Sequence, residues 1–184
     1  MLAGPLSIAA LVVVLGGALK LGSPDATQRA LATLGLPSHR LIVQAMGAAE
    51  VALGAAVLAI GGRVPAFLLA LAYLAFTGFV VVAQRAGSGI GSCGCFGQTD
   101  TPPSAMHVVV NLAAAGVAFA AVAWPVPGLA DTLADQPWLG GPFLGLSLLG
   151  TWIVYLLLTT VAQALNADQT VAVKQFRLRQ AGTS

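Results

Sequence analysis

Five long apolar runs, at roughly 5–21, 41–60, 64–83, 104–124 and 139–164, take up most of this 184-residue chain. About 20 mostly apolar residues are needed for a helix to cross the hydrocarbon core of a bilayer, and each run approaches that length. The expected fold is therefore all-α, a polytopic membrane helical bundle. With 58% hydrophobic and 8% charged residues, the chain lies outside the range of soluble domains. Its lipid bilayer is its first partner. The formal net charge of +2 is small and the basic residues are scattered, which leaves no patch for nucleic acid.

Met1-Leu2-Ala3-Gly4-Pro5 has no basic segment ahead of the first apolar run, so that run is expected to be a span rather than a cleaved leader. No compositional break marks a soluble domain. The chain divides into four spans over 1–124, a loop and fifth span over 125–164, and a polar tail over 165–184 with Lys174, Arg177 and Arg179. Gly and Ala are frequent within the runs, as Gly47, Ala48 and Gly54 show, and small residues let helices approach closely in lipid.

Ser23-Pro24-Asp25 is a helix-start signal and Gly35-Leu36-Pro37 a breaker, so a short interfacial helix over 26–34 stands against a plain connecting loop. Gly61-Gly62-Arg63 leaves room only for a tight turn between antiparallel neighbours. The segment with Pro125, Pro127, Asp131, Asp135 and Pro137 reads as irregular.

The chemistry-bearing stretch is Cys93-Gly94-Cys95-Phe96-Gly97, in the loop over 84–103; these are the chain's 2 cysteines. Residues i and i+2 place their Cα atoms about 5.5 to 7 Å apart, so a disulfide closes only when the backbone bends. Gly94 permits that bend. Such a bond is strained and easily reduced, which suits redox exchange. Two other readings stand beside it: buried, inert cysteines, or half of a metal site. The metal reading is weakened because only His39 and His107 remain as further ligands of that kind.

Glu50 is the single glutamate, in the middle of the second span. A lone carboxylate there costs a few kcal/mol, so it is expected to face the bundle interior in protonated form. Gly47, Glu50 and Gly54 share one helix face at i, i+3 and i+7. Proton relay for thiol oxidation, a hydrogen bond to a quinone, and simple pinning of two helices all remain open for Glu50. The fourth span opens on Pro102-Pro103-Ser104 and sets Ser104, His107 and Asn111 along one face. His107 is a candidate acceptor for the proton released on thiolate formation, with Asn111 orienting it; interhelical hydrogen bonding is the competing reading. Tyr73 and Thr77 read as packing and local bonding.

Taken together, Lys20-Leu21-Gly22-Ser23-Pro24 after the first span, Gly35-Leu36-Pro37, Glu50, Cys93-Gly94-Cys95-Phe96-Gly97 and Asn111 resemble the methylamine-utilisation protein MauE family, related to DoxX-like membrane proteins. The resemblance covers roughly residues 5–124. It implies a four-helix redox-associated core, to which this chain adds a fifth transmembrane helix. It also implies a thioredoxin-like partner and a role in maturing an extracytoplasmic disulfide-containing client, in the founding case the small subunit of methylamine dehydrogenase. A more distant similarity to vitamin K epoxide reductase bundles implies a quinone as electron acceptor. Family members often carry Arg before the fourth-span asparagine, where this chain has Val110-Asn111.

Two lines of reasoning about sidedness oppose each other. Lys20, Arg29, Arg40, Arg85, Lys174, Arg177 and Arg179 fall on the side of the cysteine loop and Arg63 alone on the other, which by charge puts that loop in the cytoplasm. Disulfides persist outside the cytoplasm, and the resemblance implies the same orientation. An outward loop in a multi-pass protein of the bacterial cytoplasmic membrane is the reading adopted. The expected site is Cys93, Cys95, His107 and Glu50 as reacting or proton-handling groups, supported by Gly94, Phe96, Gly97 and Asn111, with no resident metal. The functions in contention are a thiol-disulfide redox component, a small metal or solute carrier, and a non-catalytic assembly subunit.

Overall fold

The computed structural model of the protein describes residues 2–86, 103–135, 137–161 and 163–164. Among the described residues, five helices are long and apolar enough to span a bilayer. They are α1 (Ala3–Gly22), α3 (Arg40–Ala59), α4 (Arg63–Arg85), α5 (Ala105–Ala123) and α7 (Pro137–Leu156), the last continued by a π-helical turn over Leu157–Val161. The short helices α2 (Asp25–Thr33) and α6 (Leu129–Asp135) lie in the connections. All five expected spans are present, within a few residues of their expected ends.

Two helix pairs build the bundle: α1 lies along α3, α4 lies along α5, and α7 closes against α1. Leu6, Ala9, Ala10, Val13 and Val57 of the first pair form one core with Ala66, Leu69, Ala70, Tyr73, Ala115, Ala118 and Ala121 of the second. The outward surface carries Leu41, Val64, Leu68, Val109, Leu146 and Trp152. Exposed apolar side chains on every span are what a lipid-facing surface requires.

Backbone contact sets the α1–α3 register. A Cβ on Gly47 would stand 2.7 Å from the Gly17 carbonyl oxygen, and one on Gly54 would stand 2.6 Å from that of Ala10. These pairings run in opposite directions along the two chains, so the helices are antiparallel and nearly touching. Ala48 is exposed and takes no part in this seam.

At one end of the bundle, Gly61 and Gly62 adopt positive φ values of 65° and 83°, giving the tight turn expected between α3 and α4. Gly62 N–H donates to the Val126 carbonyl at 2.9 Å, fastening this turn to the segment after α5. That segment departs from the sequence expectation. It was expected to be irregular, yet α6 forms between the prolines, with Thr132 Oγ1 donating to the Gly128 carbonyl at 2.9 Å. Pro127 and Pro137 flank this turn rather than interrupt it, and proline is tolerated at helix beginnings.

At the other end α2 is helical, as one of the two readings held, and Gln28 Nε2 donates to the Ser38 carbonyl at 2.9 Å to tie it to the start of α3. Segment 87–102, which joins α4 to α5 at this same end, carries Cys93, Gly94, Cys95, Phe96 and Gly97 and lies outside the described residues.

Candidate functional site

Five polar side chains from four helices, Lys20, Glu50, Tyr73, His107 and Asn111, meet around one cavity inside the bundle. Glu50 projects from the glycine face of α3 toward α1, as its spacing with Gly47 and Gly54 predicts, and is 7% exposed. It is paired. Lys20 Nζ donates to Glu50 Oε2 at 2.8 Å, and Lys20 is itself 6% exposed. Lys20 stands in the last turn of α1, and the glycine contacts bring that turn close enough for its side chain to reach Glu50. The ammonium also lies 5.7 Å from the centroid of the Phe76 ring, within range of a cation–π contact.

This ion pair corrects two sequence expectations. Glu50 is not a lone carboxylate: its counter-charge is supplied from 30 residues away. Nor does Lys20 count among the loop charges, being buried in α1, so the charge count on its side falls from seven to six, with Arg29, Arg40, Arg85, Lys174, Arg177 and Arg179 remaining. A buried pair of this kind gains little over an apolar pair, but removing one partner strands a charge at a cost of about 3–5 kcal/mol.

The second carboxylate oxygen is different. Glu50 Oε1 is buried and has no hydrogen-bond partner among the described residues. An unsatisfied buried acceptor costs about 1–3 kcal/mol, more when charged. It borders a narrow cavity lined on its polar side by Lys20, Glu50, Tyr73, His107 and Asn111, and on its apolar side by Val12, Val13, Gly16, Phe76 and Leu158. Leu158 arrives from the π turn after α7, where Thr159 Oγ1 donates to the Tyr155 carbonyl at 2.8 Å.

From α5 the stripe anticipated at Ser104, His107 and Asn111 is fully turned inward. His107 is 2% exposed and its Nδ1 lies 2.8 Å from Ser104 Oγ, while Asn111 follows one turn deeper. Ser104 is the residue just before α5, so its hydroxyl fixes the imidazole in the first turn of that helix. Which ring nitrogen carries the proton depends on the role Ser104 takes.

Tyr73 was read from sequence as packing, and it has that role: its hydroxyl donates to the Ala9 carbonyl at 2.7 Å, joining α4 to α1. It also lines the cavity, which sequence did not indicate. Thr77 donates to the Tyr73 carbonyl at 2.9 Å, the local bond expected of it.

A multi-pass helical membrane protein with a buried ion pair and a histidine at the mouth of its polar cavity is the class this architecture defines. Residues 1–125 match the family described as methylamine utilisation protein MauE, and the chain belongs to that family. No curated protein and no solved structure matches the chain. The match takes in α1 to α5 and ends just beyond α5, so α7 and its π turn lie outside it. Yet α7 packs on α1 and Leu158 completes the cavity wall. This is therefore a methylamine-utilisation-associated membrane protein whose additional span contributes to the interior of its core.

Proposed function

We propose that the protein is a membrane thiol-disulfide exchanger, in which Cys93 and Cys95 pass between dithiol and disulfide in reaction with a thioredoxin-like partner. Family membership supports this reading, and the observation that carries it is the position of His107. The imidazole is buried and held by Ser104 at the start of α5, on the chain immediately after the cysteine segment. Ser104 follows Cys95 by nine positions, a tether of at most about 30 Å, so the pair can approach the histidine.

Exchange runs through a mixed disulfide. In the reducing direction a partner thiolate attacks one sulfur of the Cys93–Cys95 bond, and the freed sulfur takes up a proton. The partner's second thiolate then attacks the mixed disulfide and releases the other sulfur, which is protonated in turn. Two electrons and two protons have then moved onto the pair. The oxidising direction is the reverse. His107 supplies or accepts the proton at the mouth, Asn111 lies behind it, and the Lys20–Glu50 pair sets the field of the interior. Because the chain has a single cysteine pair, the second exchange falls to another protein or to a quinone, which would take the two electrons and two protons from the dithiol. The client is an extracytoplasmic disulfide-containing protein, and the cysteine segment faces that compartment of a bacterial cytoplasmic membrane.

Cys93 is the sulfur that partners attack and Cys95 the one that resolves. The test is trapping: Cys95→Ser should accumulate a mixed disulfide with a thioredoxin-fold protein, and Cys93→Ser should not. The opposite pattern would reverse the order. No adduct with either variant, together with full function of the double variant, would remove the redox reading. Failure of purified, reduced protein to be reoxidised by added quinone would leave a second protein as the acceptor.

A further inference from the structure

We propose that the cavity between α1, α3, α4, α5 and the π turn is an internal water site, holding a small ordered cluster that joins Glu50 Oε1 to His107 and Asn111. The redox reading does not require such a cluster, and the inference stands on other observations.

Glu50 Oε1 is a buried acceptor without a partner among the described residues, although its sister oxygen is held by Lys20 at 2.8 Å. Buried acceptors of this kind are nearly always satisfied, by protein or by water. The cavity beside it offers about 40 Å³ of room to the centres of water molecules. A single water sphere fills only about 10–15 Å³, so there is room for a few. A buried water also needs two to four polar partners. Here Lys20, Glu50, Tyr73, His107 and Asn111 line the same space. The polar groups sit together and face Val12, Val13 and Leu158 across the cavity. Water bonds to the first set and is only enclosed by the second. A guest without a hydrogen-bond donor would leave the carboxylate oxygen unsatisfied.

The cluster lies between two polar features. One is the Ser104–His107 pair at the mouth, the other the Lys20–Glu50 pair in mid-bundle.

The experiment is X-ray radiolytic hydroxyl labelling of the full-length protein in native-lipid nanodiscs, read by mass spectrometry. Water next to a side chain is the source of the label, and ¹⁸O-enriched water marks exchangeable sites. Leu158 and Leu69 make an internal comparison, being the same residue type at 2% and 0% exposure, with only Leu158 on the cavity. Leu158 should label severalfold faster than Leu69, and Tyr73 and Phe76 should label above the level of equally buried side chains elsewhere. Filling the space with Val13→Phe should bring Leu158 down to the Leu69 rate. If that variant does not fold, the wild-type comparison decides alone. Equal labelling of Leu158 and Leu69 would overturn the proposal, and would include the case where a lipid-soluble guest fills the cavity. The same measurement on a Cys93→Ser, Cys95→Ser protein should be unchanged, so failure here is distinguishable from failure of the redox reading.

Discussion

The α1–α3 seam and the α4–α5 seam solve the same packing problem by opposite means. Along α1–α3, glycines stand where any Cβ would strike the facing backbone, and a charged pair lies in the middle. Along α4–α5 the buried positions include Ala66, Leu69, Ala70, Ala115, Ala118 and Ala121, with Phe67 and Phe119 meeting edge-on at 6.3 Å. Gly78 and Gly116 lie on the exposed faces of α4 and α5, outside this seam, and a Cβ on either would meet nothing within 4 Å. Glycine-mediated approach on one side brings Lys20 to Glu50; alanine-lined packing on the other leaves Tyr73, His107 and Asn111 to face them. Glycine content alone does not locate a tight seam, since the facing atoms decide it.

The sharpest way to break this contrast is Glu50→Ala, which strands the Lys20 ammonium in the bundle. It should cost about 3–5 kcal/mol of stability, read as the unfolding midpoint in detergent micelles. The double variant Lys20→Met, Glu50→Gln should recover most of that loss, because neither charge is then buried alone. Next comes Gly54→Ala, whose new methyl would stand 2.5 Å from Val14 Cγ2 and 2.6 Å from the Ala10 carbonyl oxygen. A loss of about 1–3 kcal/mol is expected, with a lowered midpoint in the same assay. Gly116→Ala and Gly78→Ala should move the other way, each gaining about 0.5–1 kcal/mol from helix propensity with no clash to offset it. Equal losses at Gly54 and Gly116 would show that the facing atoms do not decide the cost of a methyl group. Smallest is Tyr73→Phe, which deletes the 2.7 Å bond to the Ala9 carbonyl. Interhelical bonds in membranes average about 0.6 kcal/mol, so the midpoint should shift only slightly.

The spans were legible because lipid demands long apolar runs, and the runs survive any choice of helix register. Glu50 was legible as inward-facing because Gly47 and Gly54 mark its face, and His107 and Asn111 because their spacing puts them on one stripe. Lys20 was not. It precedes Leu21-Gly22-Ser23-Pro24, which reads as the end of a span, and its pairing depends on how far α1 slides along α3, a quantity that no local pattern carries. The same holds for Leu158, whose approach to the cavity rests on the π turn and on α7 lying against α1. Helix α6 was obscured by prolines that bracket it.

The most direct measurement of the central claim is the redox state of Cys93 and Cys95 in intact cells, read as the mass shift from a membrane-impermeant thiol reagent with and without prior mild reduction. Labelling that appears only after reduction is the expected result, and it would establish a disulfide on the outward face. Labelling that appears only once the cells are lysed would place the pair in the cytoplasm, in agreement with the distribution of basic residues, and would contradict exchange with an extracytoplasmic partner.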